Sequence, residues 1–415
     1  MITQQEYMVL KHPIRNLNVK IDLLNEKDVI VGSFEGIAID GNVNLTSDST
    51  YRRTGNVTIL LDKKYNLLPS SSSKIWFNSR LGLWVGFKKF NDEIMWFNLG
   101  KFAIDEINLN FNTLEKTISC NLVDYCAFID GTLGGYLSHQ TRVIPSGVTI
   151  NDAIRTTLTS LGKLSMSDIV VNGSLATVPF EIEKSPNSTV YELVKELVDL
   201  YKNYDMYYDE EGVFRIEQIR NRQTDPVVWN FEDVNLSVDY SSVIDFKNVK
   251  NSIWVWGRTE NQVQVVWNYR NRFARNTVSE MDSITEKQVN DICCVIGENK
   301  NSYRWSGSTW ELLNFKVVPD FRIESIGEKT LAITDNNVQN VSQAKLRCEY
   351  ELQQTSNFAE VVSFSCVPIY PLKPNDKIYL KVEELNIDGY FLVKSIDFTL
   401  GIDSLSSVTC QKLYY

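Results

Sequence analysis

Apolar and polar positions alternate through the first third of the chain. In IRNLNVKIDLL the residues Leu17, Val19, Ile21 and Leu23 fall on one face, NEKD makes a turn, and VIVGSFEGIAIDGNVNL resumes the two-residue period with glycine punctuation. RTGNVTILL follows, with Val57, Ile59 and Leu61 on one face. After a serine loop, KIWFNSRLGLWVGFKKF and EIMWFNLGKFAIDEINLNF are rich in aromatic and β-branched residues, which predicts a hairpin turning near Asn91 and Asp92. KTISCNLVDY adds a further strand and leads into the glycines of FIDGTLGGYL, so the block to about Tyr136 reads as one twisted sheet or barrel.

At Ile150 the period changes. Ile150, Ile154, Leu158 and Leu161 recur at helical spacing behind Thr149 as N-cap, with Asp152 in the first turn. Thr189 and Glu192 form a T-x-x-E capping box ahead of a helix whose apolar stripe is Val190, Leu193, Val194, Leu197 and Tyr201. DMYYDEEGVFRIEQI then predicts two strands around an acidic turn, completing a small α+β unit.

Strand character returns in PVVWNF, NLSVDYSSVIDFKNVKNSIWVWGR and QVQVVWNYR. Ser283 and Glu286 are placed as another capping box, predicting a short helix through Val289, Ile292, Cys293 and Ile296. NKNSYRWSGSTWELL predicts a tight hairpin around Ser306 to Thr309. Asn340 and Gln343 open a helix carrying Ala344, Cys348 and Leu352, and the end of the chain, from AEVVSFSCVPIY to SSVTCQKLYY, is strands again.

Composition narrows the functional classes. The 415 residues are 43% hydrophobic and 23% charged, which is ordinary globular usage, and 42 basic against 52 acidic residues leave a net charge of −10. That sign opposes tight binding to phosphates along DNA or to an anionic membrane. No stretch reaches the roughly 18 uninterrupted apolar residues of a membrane span, and the start lacks the basic and apolar regions of a signal peptide, so synthesis in the cytoplasm is expected. Seven scattered cysteines and two histidines match neither a disulfide framework nor a zinc spacing, and the thiols are expected to be buried.

Catalytic motifs are equally thin. SLGKLS fails the P-loop pattern, and GTLGG resembles a phosphate loop only in its glycines, which suit a tight loop or close backbone packing. His12 and His139 are the only histidine bases available, and neither lies beside a nucleophile elbow or an HExxH helix. Asp209, Glu210 and Glu211 are the densest carboxylates, but they occupy a predicted hairpin turn where solvated acids are routine. No catalytic, cofactor-binding or metal-binding residue is assigned. Of the tryptophans, Trp254 and Trp256 share one strand face and are expected in a core or sheet contact. Trp305 and Trp310, on the hairpin, are the candidate partner surface, although packing of the two rings on each other competes with that role.

The ordered segments TYRRTGNVTILL, SSKIWFNSRLGLWVGFKK, EIMWFNLGKFAIDEINLNFNTLEKTISCNLVDYCAFIDGTLGG, TINDAIRTTL and STVYELVKELVDLYKNYDMYYDEEGVFRIEQI resemble the tail hub proteins of tailed bacteriophages, the baseplate hub family that forms a trimeric ring beneath the tail tube. Downstream, FKNVKNSIWVWG, VPDFRIESIGEKTLAITDNNVQNVSQAKLRCEYELQ and KPNDKIYLKVEELNIDGYFLVKSIDFTLGIDSLSSVTCQK are similar to the second half of that family. The resemblance implies a mainly β fold with α+β insertions: a tube-like β-barrel domain over 1–145, an α+β domain over 146–235 and a second tube-like barrel over 236–259 and 319–415; residues 260–318 depart from the family pattern and read as an inserted accessory minidomain.

It further implies a structural, non-enzymatic protein of the virion, located at the tail tip or baseplate. Three copies would close a pseudo-hexameric ring that joins the tail tube to the tip or spike and conducts DNA. Its partners would be further copies of the chain, the tail tube or distal tail protein, spike, fibre or tip proteins and the tape measure protein. DNA would only pass through the lumen, and no stable membrane insertion is implied. The alternatives are a tail-associated cell-wall hydrolase, glycosidase or peptidase, and a carbohydrate-binding host adhesin using Trp305 and Trp310.

Overall fold

The computed structural model describes residue 10 and residues 17–413, apart from 62–64, 90–92, 112–115, 138–140, 174–175, 202–203, 220–221, 232–236, 261–262, 336, 356–358 and 402–404. The expected turn at Asn91 and Asp92, His12 and His139 lie outside the described residues. The fold is mainly β, as the alternating pattern predicts.

Strands β1 (Leu17–Leu24), β2 (Ile30–Glu35), β3 (Ala38–Thr46), β4 (Arg53–Leu60), β5 (Arg80–Lys88), β6 (Ile94–Phe111) and β7 (Lys116–Val123) come first. An α+β stretch follows: β8 (Arg142–Ile144), α1 (Ile150–Ser160), β9 (Ile169–Val171), β10 (Ile182–Lys184), α2 (Val190–Asp199), β11 (Tyr204–Tyr208) and β12 (Phe214–Gln218). Then come β13 (Trp229–Phe231) and β14 (Ser237–Asp245). Next are β15 (Ser252–Glu260), β16 (Val263–Arg275), α3 (Val278–Asp282), β17 (Asp291–Val295), β18 (Asn301–Trp305), β19 (Trp310–Leu312), α4 (Ile323–Ile326), β20 (Thr330–Thr334) and α5 (Val341–Thr355). The chain closes with β21 (Ala359–Cys366), β22 (Lys377–Val382), β23 (Ile387–Thr399) and β24 (Ser406–Lys412).

A thirteen-stranded sheet runs β14-β21-β24-β23-β3-β4-β7-β6-β5-β1-β2, with β22 also on β23 and β13 on β22. One continuous apolar core backs it, from Val19 and Ile21 through Phe102 and Trp229 to Phe398 and Cys410. The alternating residues named in the sequence supply this core, each large side chain contributing roughly 1.5–3 kcal/mol on burial. All seven cysteines are buried free thiols, as expected.

The α+β stretch has its own core, in which Ile150, Ile154 and Leu158 of α1 meet Val190, Leu193, Val194 and Leu197 of α2. Both helices start where the sequence places them. The Thr149 hydroxyl accepts from the Asp152 N–H at 3.2 Å. In the capping box the Thr189 hydroxyl accepts from the Glu192 N–H at 3.2 Å, and Glu192 accepts from the Thr189 N–H at 3.1 Å. This satisfies donors that a helix start leaves orphaned. At the C-terminal end of α1 the left-handed residue is Lys163, at φ 56°.

The chain divides into two compact units, one of residues up to 241 and 362–411, the other essentially 242–361. In the second unit a six-stranded sheet runs β19-β18-β17-β16-β15-β20, with α5 burying Ala344, Cys348 and Leu352 in its core. Two differences from the sequence reading follow. Strands β15 and β20 and helix α5, expected in a second tube-like domain, belong with the expected minidomain 260–318, and β13, expected in the α+β domain, pairs in the large sheet. Period-2 alternation identifies a strand but not the sheet it joins. Residues 291–295, expected in a helix, form β17 instead, buried along its whole length between β16 and β18. A short apolar run reads alike as a buried strand or helix, and the real helix is α3, capped by Thr277.

The glycine cluster is a packing device. Gly135 has φ 90°, and a Cβ there would lie 2.4 Å from the Ile129 Cα, so the backbone passes where only glycine fits. Gly135→Ala therefore loses more than about 1 kcal/mol of stability, read as a lower urea midpoint at unchanged slope.

Candidate assembly surface

The acidic hairpin turn was expected to be solvated, and of its three carboxylates only Glu211 is exposed. Asp209 is buried and accepts from Arg215 Nε at 2.5 Å and from the backbone N–H groups of Glu211 (3.0 Å) and Val213 (2.9 Å). Glu210 pairs with Arg53 at 3.2 Å and with Lys373, and Glu211 accepts from Asn98 Nδ2 at 2.7 Å. The Lys101 N–H donates to the Glu210 carbonyl at 3.2 Å, so the turn caps an edge of β6 that β7 does not reach. Burial raises the Glu210 carboxyl, but its bond to Lys373 and the charges of Lys373 and Arg53 outweigh this and hold it below the ordinary value. A general acid needs the opposite shift. These carboxylates clamp the β11–β12 turn to the first strands.

The same seam continues through Arg52, whose Nη2 binds both oxygens of Asp205 at 2.6 and 2.7 Å, and through Asp28, which accepts from Arg80 (2.5 Å) and Tyr125 (2.8 Å). At its centre, buried Asp124 accepts backbone N–H bonds from Cys126 (2.9 Å), Arg52 (2.5 Å) and Arg53 (3.3 Å). Burial pushes its carboxyl up to about 6 against the pull of those donors and of the Arg53 guanidinium.

Trp305 and Trp310 face each other across the β18–β19 pair, ring centroids 5.4 Å apart and edge-on. The Lys287 ammonium lies 4.1 Å from the Trp305 centroid and 5.6 Å from that of Trp310. The ring-on-ring packing weighed in the sequence reading is what forms, and a lysine already occupies the platform. Trp254 and Trp256 stack at 5.7 Å on the half-buried face of β15, while Ile253 and Val255 fill its core face.

The surface that sequence reasoning missed comes from a duplication. Strands β3-β4-β7-β6-β5 and β14-β21-β24-β23-β22 follow the same order. Residues 100–111 (GKFAIDEINLNF) and 389–400 (GYFLVKSIDFTL) align without a gap, each opening on a positive-φ glycine. Ala103 and Leu392 hold matching last pairs with β5 and β22, at Arg80 and Lys377. Cys120 and Cys410 also correspond, as do the hydroxyl pairs Thr58–Ser119 (3.2 Å) and Ser363–Thr409 (3.0 Å).

Within the chain the two copies join where β23 pairs antiparallel with β3, Ile396 opposite Leu45 and Phe398 opposite Val43. Among the described residues no further strand pairs with the outer ends of the array. Beyond Ala103, β6 pairs only with β7 among the described residues, and β14 is the last strand of its end of the sheet. Leu109 and Phe111 are 54% and 73% exposed, whereas their counterparts Phe398 and Leu400 are 1% and 5% exposed. The missed signal was the 100–111 and 389–400 alignment.

No protein-family model matches the chain, and no curated protein matches it. Solved structures do. A tail protein from Neisseria meningitidis MC58 superposes with a TM-score of 0.57 at 9% identity, covering 95% of this chain and 96% of its own. The 43 kDa tail protein of prophage MuSo2 from Shewanella oneidensis gives 0.55 at 11% identity, with 96% and 98% covered. A chain of the half-lidded Francisella PdpA-VgrG complex gives 0.50 at 10%, covering 99% of this chain and 61% of its own. The chain has the fold of phage-type tail proteins.

Asp124 sets a pH dependence. Its folded value near 6 lies above the ordinary aspartate value of about 3.9, so its contribution to stability is absent well above pH 6, grows as pH falls through 6 and is complete below about 4. Asp376, raised by burial to about 6, adds in the same window. The melting temperature therefore rises between pH 7 and pH 5, and Asp124→Asn flattens about half of that rise in a calorimetric pH series.

Proposed function

We propose that the protein is a structural hub of a phage-type tail, three copies of which close a pseudo-hexameric ring that joins the tail tube to the tip or spike and lets DNA pass. The observation that carries this is the duplicated strand array with two dissimilar open ends. Such ends make a heterologous contact, and a heterologous contact that closes by rotation gives a ring. Two repeats per chain and three chains supply six similar units, the number that a sixfold tube requires. The fold shared with phage-type tail proteins over nearly the whole chain supports the same reading.

The net charge of −10 suits a conduit that does not retain its cargo, since DNA is repelled rather than held by counterion release. Further partners in this reading are the tail tube or distal tail protein, the tip, spike or fibre proteins and the tape measure protein. The role is mechanical: the acidic turn is committed to Arg53, Lys373 and Arg215, which disfavours a hydrolase built on it, and Lys287 over the tryptophan pair disfavours a sugar-stacking adhesin.

Light scattering over a concentration range, followed by negative-stain imaging, tests the proposal. The expected species is three times 47.7 kDa, about 143 kDa, with a central hole. A monomer at every concentration, even with tube and tip proteins added, overturns it.

A further inference from the structure

The junction inside one chain is a template for the contact between chains. Resting on the ring reading above, we infer that β14 of one copy docks antiparallel on residues 106–110 of β6 in the next copy, in the register that β3 and β23 adopt within a chain.

The register follows from three equivalences. The gap-free alignment sets Ile107 and Leu109 at the places of Ile396 and Phe398. The matching hydroxyl pairs set Ser363 at the place of Thr58, which faces Asp40 in the β3–β4 pair. Ser241 donates from its hydroxyl to the Ser363 carbonyl at 3.5 Å, and the neighbouring Tyr240 stacks on Phe364 with centroids 5.5 Å apart, so Ser241 takes the place of Asp40. Three residues on, Ile244 then corresponds to Val43, and Phe246, in the bend just past the end of β14, follows at the place of Leu45.

Carried to the open ends, this register pairs Leu109 with Ile244 and Ile107 with Phe246, as Phe398 pairs with Val43 and Ile396 with Leu45. Ile244 and Phe246 are 48% and 70% exposed, so both sides of the contact present the apolar residues that the internal junction buries. The bare backbone of an edge strand adds the hydrogen bonds, which is strand augmentation with a second copy of the chain as donor.

Full-length Leu109→Lys, Ile244→Glu and the double variant test this by light scattering. Each single variant is expected to lose the 143-kDa species at concentrations where the parent is fully assembled, with its circular dichroism unchanged because both sites are exposed. The double variant is expected to reassemble at a concentration at least tenfold lower than either single. Independently, oxidised Leu109→Cys/Ile244→Cys protein is expected to give two-chain and three-chain species on a denaturing gel, and the out-of-register Leu109→Cys/Ser241→Cys control none. Assembly that survives both single substitutions, or a cross-link no stronger than the control, overturns the strand contact while leaving the ring standing. A parent that stays monomeric overturns both.

Discussion

Strand β23 is too long for its own hairpin. Residues 387–392 pair with β22, and beyond them 395–399 need another partner on the same side, which β3 provides from the far end of the chain. That pairing buries Ile396 and Phe398 against Val43 and Leu45 and fuses two repeats into one sheet over one core. An uncovered edge is a template for any passing strand, so the choice is between an internal partner and an external one. The chain satisfies one such edge internally, while its equivalent on β6 has no partner strand among the described residues.

Two insertions interrupt the strand order of this array in sequence. The second compact unit lies between β14 and β21, where the first repeat has only the short turn between β3 and β4. A long insertion between two strands costs little closure entropy provided that its ends stay close. The α+β stretch is tied to the first repeat both through apolar contacts around Tyr125 and Ile129 and through the ion pairs Arg52–Asp205 and Arg53–Glu210. A buried seam of this kind contributes little net stability over an apolar one but fixes orientation, because each charge tolerates only the placement that pairs it.

Much of this was legible in the residues. Alternation at Leu17 to Leu23 and Val57 to Ile59, the Thr189–Glu192 box and the Ser306–Thr309 turn each carry their structure locally. What was not legible is non-local. Asp209 to Glu211 look like a solvated turn because nothing near them in sequence announces Arg53 or Lys373. The run DICCV looks helical because burial on both faces erases the two-residue period. β15 and β20 were assigned to the wrong neighbours because pairing partners leave no local mark. The repeat at 100–111 and 389–400 was present in the letters, but it is carried by Gly100/Gly389, Phe102/Phe391 and Ile107/Ile396, too sparse to stand out without the strand order that makes them equivalent.

In the hub proposed above, duplication is what lets one gene product match a sixfold neighbour. If the two repeats had identical edges, chains would join equally at every junction and nothing would distinguish an internal joint from an external one. Here the residues have diverged while the strand order has not: Phe398 and Val43 are buried together in one core, whereas Leu109 and Ile244 are about half-exposed. A contact buried during folding contributes to the stability of the subunit, and one left for assembly contributes only when a second subunit arrives. In the ring proposed above, three joints of each kind would divide the apolar contact between the folding of one chain and the joining of the next.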